Sequence, residues 1–379
     1  MSSDSRAIGV LKEVFPGEAR VALSPEAAKK FAPSGVKLLL ERGAGLAASF
    51  QDEDYAAVGV ELADRASVLS RADVLLTVRP PQAADVAKLK RGGTVVGLLD
   101  PSRNAPLLAA IAAQGLSAYA MELLPRTTRA QVMDALSSQA NLAGYRAVIE
   151  AAAVYGRAMP MMTTAAGTIT PARVFVMGAG VAGLQAIATA RRLGAVVTGT
   201  DVRPAAKEQV QSLGAKFVAV EDEEFLAAES AGGYAKAMSA EYQAKQAALI
   251  SEHIRKQDMV ITTALIPGRP APRLVTADQV ASMRSGSVLV DLAVEQGGNI
   301  EGVTPGEIHT TPNGVHVVGY ENLPARVAVD ASTLYARNLH AFVLHLFQQT
   351  DADAVADDEI LKASSVVRGG AVVFPAAAA

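Results

Sequence analysis

Residues Arg173 to Asp201 read RVFVMGAGVAGLQAIATARRLGAVVTGTD, and few folds accommodate side chains in that order. Val174-Phe175-Val176-Met177 is a short apolar run of strand formers, as a strand buried on both faces of a parallel sheet requires. Gly178, Gly180 and Gly183 follow as G-x-G-x-x-G. In a βαβ unit the first glycine permits the tight turn and the second lets backbone approach a pyrophosphate. The third lets the next helix pack closely on the strand. Leu184 to Leu193 then reads as a helix, stopped by Gly194, whose positive N-terminal end would face the diphosphate. A second strand, Ala195 to Thr200, ends in Asp201, 18 residues beyond Gly183. A carboxylate there can accept both adenosine-ribose hydroxyls and repels a 2′-phosphate, so the reading is NAD rather than NADP. Arg203 complicates it, because a nearby guanidinium can serve a 2′-phosphate. Val181 and Ala182 in the glycine turn and Val202 beside Asp201 complete this candidate cofactor-binding set.

The chain has 379 residues, enough for two or three domains with cores of their own. Half of them are hydrophobic and 19% are charged, a globular balance. There is no cysteine, which excludes disulfides, thiolate zinc sites and a thiol nucleophile together. A net charge of −3, with no basic run or aromatic platform, argues against a nucleic-acid partner. The five histidines show no i, i+4 ligand pairing, so no metal site is expected. The opening MSSDSRAIGV lacks a signal-peptide pattern and no stretch of 18 uninterrupted apolar residues follows, which predicts a soluble cytoplasmic protein.

Residues 6 to 125 alternate strand-like and helix-like pieces: strands over 7–10, 37–40, 73–78, 94–99 and 117–120, helices over 25–31 and 105–113. That rhythm predicts an α/β domain with a parallel sheet. In Glu18 to Pro25, Ser24 reads as a helix N-cap and Arg20, on the plain structural reading, as a surface cation. From Pro125 to Ser138 a polar loop runs into a helix that continues over 141–153, long enough to join two domains. Pro160 and Pro171 bracket a Met- and Thr-rich connector. After Asp201 the α/β pattern resumes, interrupted by the insertion Glu221 to Ala240, which reads as too polar for a core element. Its Gly232-Gly233-Tyr234 tip suits a lid that closes on a ligand. Strands over 259–264 and 288–293 follow, and a long helix over 324–347 returns to the first domain. The expected fold is therefore α/β, two Rossmann-like domains with parallel sheets, the first discontinuous, joined by long helices. The expected divisions are 1–125 plus 327–379 for the outer domain, 126–139 for the polar loop, and 140–326 for the Rossmann domain.

Several long segments carry a family resemblance: PRTTRAQVMDALSSQANLAGYRAV, TTAAGTITPARVFVMGAGVAGLQAIATARRLGAVV, TDVRPAAKEQVQSLGAKF, AGGYAKAM and TTALIPGRPAP. With the opening GEARVALSP and the closing VVRGGAVVFPA, the chain resembles, over nearly its whole length, the NAD(H)-binding component of proton-translocating nicotinamide nucleotide transhydrogenase. The resemblance implies a homodimer that presents NAD(H) to NADP(H) held on a partner subunit, with hydride passing directly between the nicotinamides. It also implies a separate membrane component that couples the reaction to proton movement, and peripheral association with the inner membrane through those partners. By resemblance, Arg126, Asp134 and Ser137 hold the nicotinamide end of NAD(H), and Gln131 reaches toward the NADP(H) side. The family's mobile loop falls on Gly233 and Tyr234, and Gln246 and Leu265 match further cofactor-contacting positions. The chemistry agrees, since hydride transfer between two bound nicotinamides needs positioning and exclusion of water rather than a nucleophile or general base.

Two rivals remain. Alanine dehydrogenase shares the architecture and the opening E-x-R-V-A-x-(S/T)-P, but its lysine and histidine positions fall on Thr77 and Asp100, and its later aspartate on Glu295. A non-catalytic NAD(H) sensor explains the Rossmann unit equally well, but leaves the polar loop from Arg126 to Ser137 unexplained. Thr77 also departs from the transhydrogenase pattern, where lysine is common at that place.

Overall fold

The computed structural model describes residues 6–227, 238–266, 269–349 and 357–374. The chain forms two compact units, Met1–Gln139 with Ala325–Ala379, and Ala140–Pro324. Each is built on one mostly parallel sheet.

In the first unit the strands lie in the order Ala371–Val372, Ser365–Arg368, Ser117–Ala120, Thr94–Gly97, Val74–Leu76, Ala7–Val10, Lys37–Glu41, Glu61–Ala63. All neighbours are parallel except the two strands from the C-terminal end, which add antiparallel at one edge. Because side chains alternate across a strand, each run serves both faces. Ile8, Val10, Leu38, Leu40, Val74 and Leu76 join one buried cluster, whereas Leu39, Leu75 and Val95 join the other. The first cluster is completed by the helix Ala328–Gln348, which buries Ala331, Tyr335, Leu339 and Phe342 along one stripe. This helix brings the C-terminal portion of the chain into the first unit.

In the second unit the order is Lys216–Phe217, Val196–Thr200, Arg173–Met177, Met259–Thr262, Val288–Asp291, His316–Val318, Ile308–Thr310, parallel throughout except for the last pair. Val174 and Val176 face one cluster, Phe175 and Met177 the other. The sequence reverses direction across the sheet between Arg173–Met177 and Met259–Thr262. Ligands bind in such sheets outside the carboxyl ends of the strands at this switch point.

Three features differ from the sequence reading. The connector after Pro160 is an antiparallel hairpin of Met162–Thr164 with Gly167–Ile169, exposed along almost all its length. The polar insertion begins with a short helix, Glu223–Leu226, that buries Phe225 against Phe217 and Tyr242. Its start is therefore a core element, because one aromatic at the right place outweighs three flanking acids. Arg20 is buried, not a surface cation. No helix among the described residues is long and apolar enough to cross a membrane.

Candidate nucleotide site

The three glycines of the cradle have different physical reasons. Gly178 sits at φ +106, where an L side chain is strained, and a Cβ on it would lie 2.5 Å from the Thr263 hydroxyl. A Cβ on Gly183 would lie 1.8 Å from the Gly178 carbonyl, so the helix Val181–Arg192 packs on the strand only because that atom is missing. Gly180 is different: no described atom lies within 4 Å of the place its Cβ would take, and its φ is an ordinary −77°. The fold does not need a glycine there. What it provides is open space beside the first turn of a helix whose N–H groups are without intrahelical partners, the setting in which diphosphates bind.

The helix is positioned from behind by a residue that sequence reasoning missed. Gly144, in the long helix Ala135–Val154, would carry its Cβ 2.0 Å from the Ala182 carbonyl. A glycine inside an otherwise continuous helical run was the available signal, since it costs helix stability and asks for a packing reason. On the other side of the cradle, Thr263 donates to the Gly178 carbonyl at 3.1 Å. Asn299, fully buried, clamps the turn after Met259–Thr262 by accepting from Ala264 N and donating to the carbonyls of Ala264 and Pro272. That turn leaves Leu265 and Ile266 exposed beside it in sequence.

Asp201 closes the strand Val196–Thr200 and turns back to the cradle. Its Oδ2 accepts from Ala179 N at 2.7 Å and from Arg203 Nη2 at 3.0 Å; its Oδ1 accepts from Arg203 N at 2.9 Å and Nε at 2.8 Å. Burial alone would raise its pKa, but the Arg203 guanidinium and the two backbone N–H groups hold the carboxyl below its ordinary value. Arg203 Nη2 also reaches the Ala179 carbonyl at 3.2 Å. Val181 and Val202 are exposed around this clasp. Gln246 accepts from Val220 N at 2.8 Å and thereby orients the chain leaving the sheet. Gly233 and Tyr234 lie outside the described residues.

The other predicted group falls in the first unit. Gln131, Asp134 and Ser137 line one cavity of about 500 Å³, with Lys30, Val132, Ser138, Arg337, Asn338 and His340. Asp134 caps the helix Ala135–Val154, accepting Ser137 N at 2.9 Å and the Ser137 hydroxyl at 2.5 Å. The carboxylate keeps lone pairs for a further donor and the hydroxyl keeps them as well, so the pair remains able to accept from an amide. Asn338 fixes the loop by donating to the Val132 carbonyl and accepting from the Ser138 hydroxyl. Nothing in the sequence marked Asn338, which lies 200 residues from Ser138 along the chain. Arg126 is exposed at the start of the same loop.

The first sheet has a switch point as well, and its own side chains fill it. Glu13 accepts Val78 N at 2.6 Å, across the strands Ala7–Val10 and Val74–Leu76, and burial raises its pKa to about 7. The Tyr335 hydroxyl donates to the Thr77 carbonyl at 2.8 Å and accepts from Leu98 N. Glu122 accepts from Leu99 N and Asp100 N and is pushed by burial to about 7. Arg20 is bidentate to Glu18 at 2.8 and 2.7 Å and reaches Gln139 at 2.8 Å. Thr77 is buried with no partner for its hydroxyl among the described residues. Asp100 turns outward to Arg103, and in the second unit Glu295 accepts from Asn322 N.

Two doubly wound sheets, one with an open glycine cradle and one with its switch point closed, define a two-domain nucleotide-binding protein of the dehydrogenase type. The family models "Alanine dehydrogenase/PNT, N-terminal domain" and "Alanine dehydrogenase/PNT, C-terminal domain" match residues 9–143 and 147–375. The chain is 51% identical over 377 residues to the first of the chains that make up the NAD(P) transhydrogenase subunit alpha of Rhodospirillum rubrum, covering 97% of this chain and 98% of that one. It superposes on the crystal structure of transhydrogenase from Sinorhizobium meliloti with a TM-score of 0.89 and 53% identity, covering 97% and 100% of the two chains. An alanine dehydrogenase of Halomonas elongata is 30% identical over 379 residues, covering 98% and 95%. The chain belongs to the alanine dehydrogenase/PNT family, and within it to the NAD(P) transhydrogenase α-subunits. It is thus one component of an oxidoreductase that handles a nicotinamide nucleotide.

Proposed function

We propose that the protein binds NAD(H) in the Gly178–Gly183 cradle and exchanges hydride directly with NADP(H) held by a partner subunit. The observation that carries this reading is the state of Arg20. An amino-acid dehydrogenase needs a cation for the substrate carboxylate and groups to exchange its protons. Here the guanidinium is engaged on three sides by Glu18 and Gln139 and shielded from solvent. Thr77 and Asp100 stand where the lysine and histidine would be. What remains is a nucleotide cradle and a loop of amide, carboxylate and hydroxyl groups suited to orienting carboxamides.

In this reading Arg126, Asp134 and Ser137 hold the nicotinamide of NAD(H), and Gln131 contacts the second nucleotide. Val181, Ala182, Asp201, Val202, Arg203, Gln246 and Leu265, with Gly233 and Tyr234, serve the rest of NAD(H). The working unit is a homodimer, joined to an NADP-binding subunit and to a membrane component that moves protons, which places it at the cytoplasmic face of the inner membrane. Purified chain, an NADP-binding partner, NADH and an oxidised NADP analogue test the reading together. Reduction of the analogue is the expected result. NADH oxidation by pyruvate and ammonium instead would establish the amino-acid dehydrogenase, and NADH binding without either reaction would establish a sensor.

A further inference from the structure

The clasp on Asp201 bears on nucleotide choice. A carboxylate offers about four lone-pair positions, and Asp201 uses that number: Ala179 N and Arg203 Nη2 on one oxygen, Arg203 N and Nε on the other. Two of the four donors are backbone and cannot leave without undoing the turn. The other two belong to one side chain, which is partly exposed and free to rotate. A ribose diol therefore reaches Asp201 only by displacing the Arg203 guanidinium. Its Nη2 also bridges to the Ala179 carbonyl, so the same displacement unfastens the strand end from the glycine turn.

We propose that Arg203 is a positioning residue that sets nucleotide selectivity through Asp201. While clasped it competes with the ribose of NAD(H) and lowers affinity for it. Once displaced it leaves a cation near the ribose 2′ position, where it serves a 2′-phosphate if Asp201 does not hold it. The carboxylate thus acts twice: it accepts the NAD(H) ribose, and it neutralises the one guanidinium that would otherwise recruit NADP(H). This inference rests on the cofactor site described under the proposed function.

The test is a set of dissociation constants for NADH and NADPH, measured by calorimetry on the full chain without its partner. Arg203→Ala should tighten NADH about three- to tenfold, the range for removing one partly exposed competing ion pair, and should not tighten NADPH. Asp201→Asn should weaken NADH and tighten NADPH, because the freed guanidinium meets the 2′-phosphate. Arg203→Lys should fall between Arg203→Ala and the parent in NADH affinity, since an ammonium cannot span both oxygens. A structural role alone would shift both nucleotides together and leave their ratio unchanged, which would overturn the inference. So would weaker NADH binding in Arg203→Ala. If Arg203→Ala does not fold, Arg203→Gln carries the same comparison. A parent chain that fails to bind NADH would overturn the cofactor site itself, whereas a parent that binds it with a selectivity ratio indifferent to Arg203 would overturn only this inference.

Discussion

At the scale of single residues, the cradle separates two uses of glycine that one motif conceals. Gly183 is required by the fold and Gly180 is not. Gly180→Ala should leave the thermal midpoint within about 1–2 °C of the parent, since no described atom is struck, yet weaken NADH binding about tenfold or more by filling the diphosphate's space. Equal NADH affinity would remove the diphosphate from that place. Gln131, assigned to the second nucleotide, makes a complementary prediction: Gln131→Asn lowers the hydride-transfer rate far more than the affinity for NADH. Parallel losses in both would return it to the NAD(H) side. These residues were legible because their chemistry is local. The motif announces Gly178, Gly180 and Gly183, and the polar run announces the loop containing Gln131. Asn338, Asn299 and the occupation of Arg20 were not legible, because each depends on partners distant in the chain that only the folded packing brings together.

At the scale of elements, apolar runs and breakers marked the buried parts well. The helices Pro25–Phe31 and Ala105–Ala113 and the strands Ala7–Val10 and Ser117–Ala120 match the sequence reading residue for residue. What escaped were elements without a hydrophobic signal. Glu61–Ala63 is a three-residue strand at the sheet edge, one turn before the helix Arg65–Arg71. The hairpin at 162–169 carries threonines outward, and its Ala-Ala turn lacks the Asn-Gly or Asp-Gly signature. The long helix Ala135–Val154 makes a testable demand of its own. Gly144→Ala forces its backbone off Ala182, so it should destabilise the protein by about 1–3 kcal/mol, the usual cost of overpacking. It should also weaken NADH binding, because Ala182 belongs to the helix turn that meets the diphosphate. Unchanged unfolding and binding would show that the two helices can separate without consequence.

At the scale of the whole molecule, the two sheets share a strand order but not a fate. One ends in open space at the cradle; the other ends in Glu13, Glu122 and Tyr335, which close its switch point with their own hydrogen bonds. That closure has a pH signature. Burial raises Glu122 from 4.5 to about 7 in the folded chain, so between those values the unfolded chain binds fewer protons. Stability therefore falls as pH rises through the window and levels off above it. Glu122→Gln, neutral throughout, should lose less stability between pH 4.5 and 8 than the parent, by about 1–3 kcal/mol in denaturant titrations. An identical pH dependence would place Glu122 in a wetter environment than its contacts describe. The same asymmetry explains why a chain of this architecture acts on another nucleotide rather than on a small acid: only one of its two crevices is free. The most direct measurement of that claim uses NADH deuterated at C4 on the transferred side, reconstituted chain and NADP-binding partner, and an oxidised NADP analogue. The account predicts that the deuterium is recovered at C4 of the reduced analogue without dilution by solvent protons. Deuterium lost to water, or retained in NADH while the analogue stays oxidised, would contradict direct transfer between two bound nicotinamides.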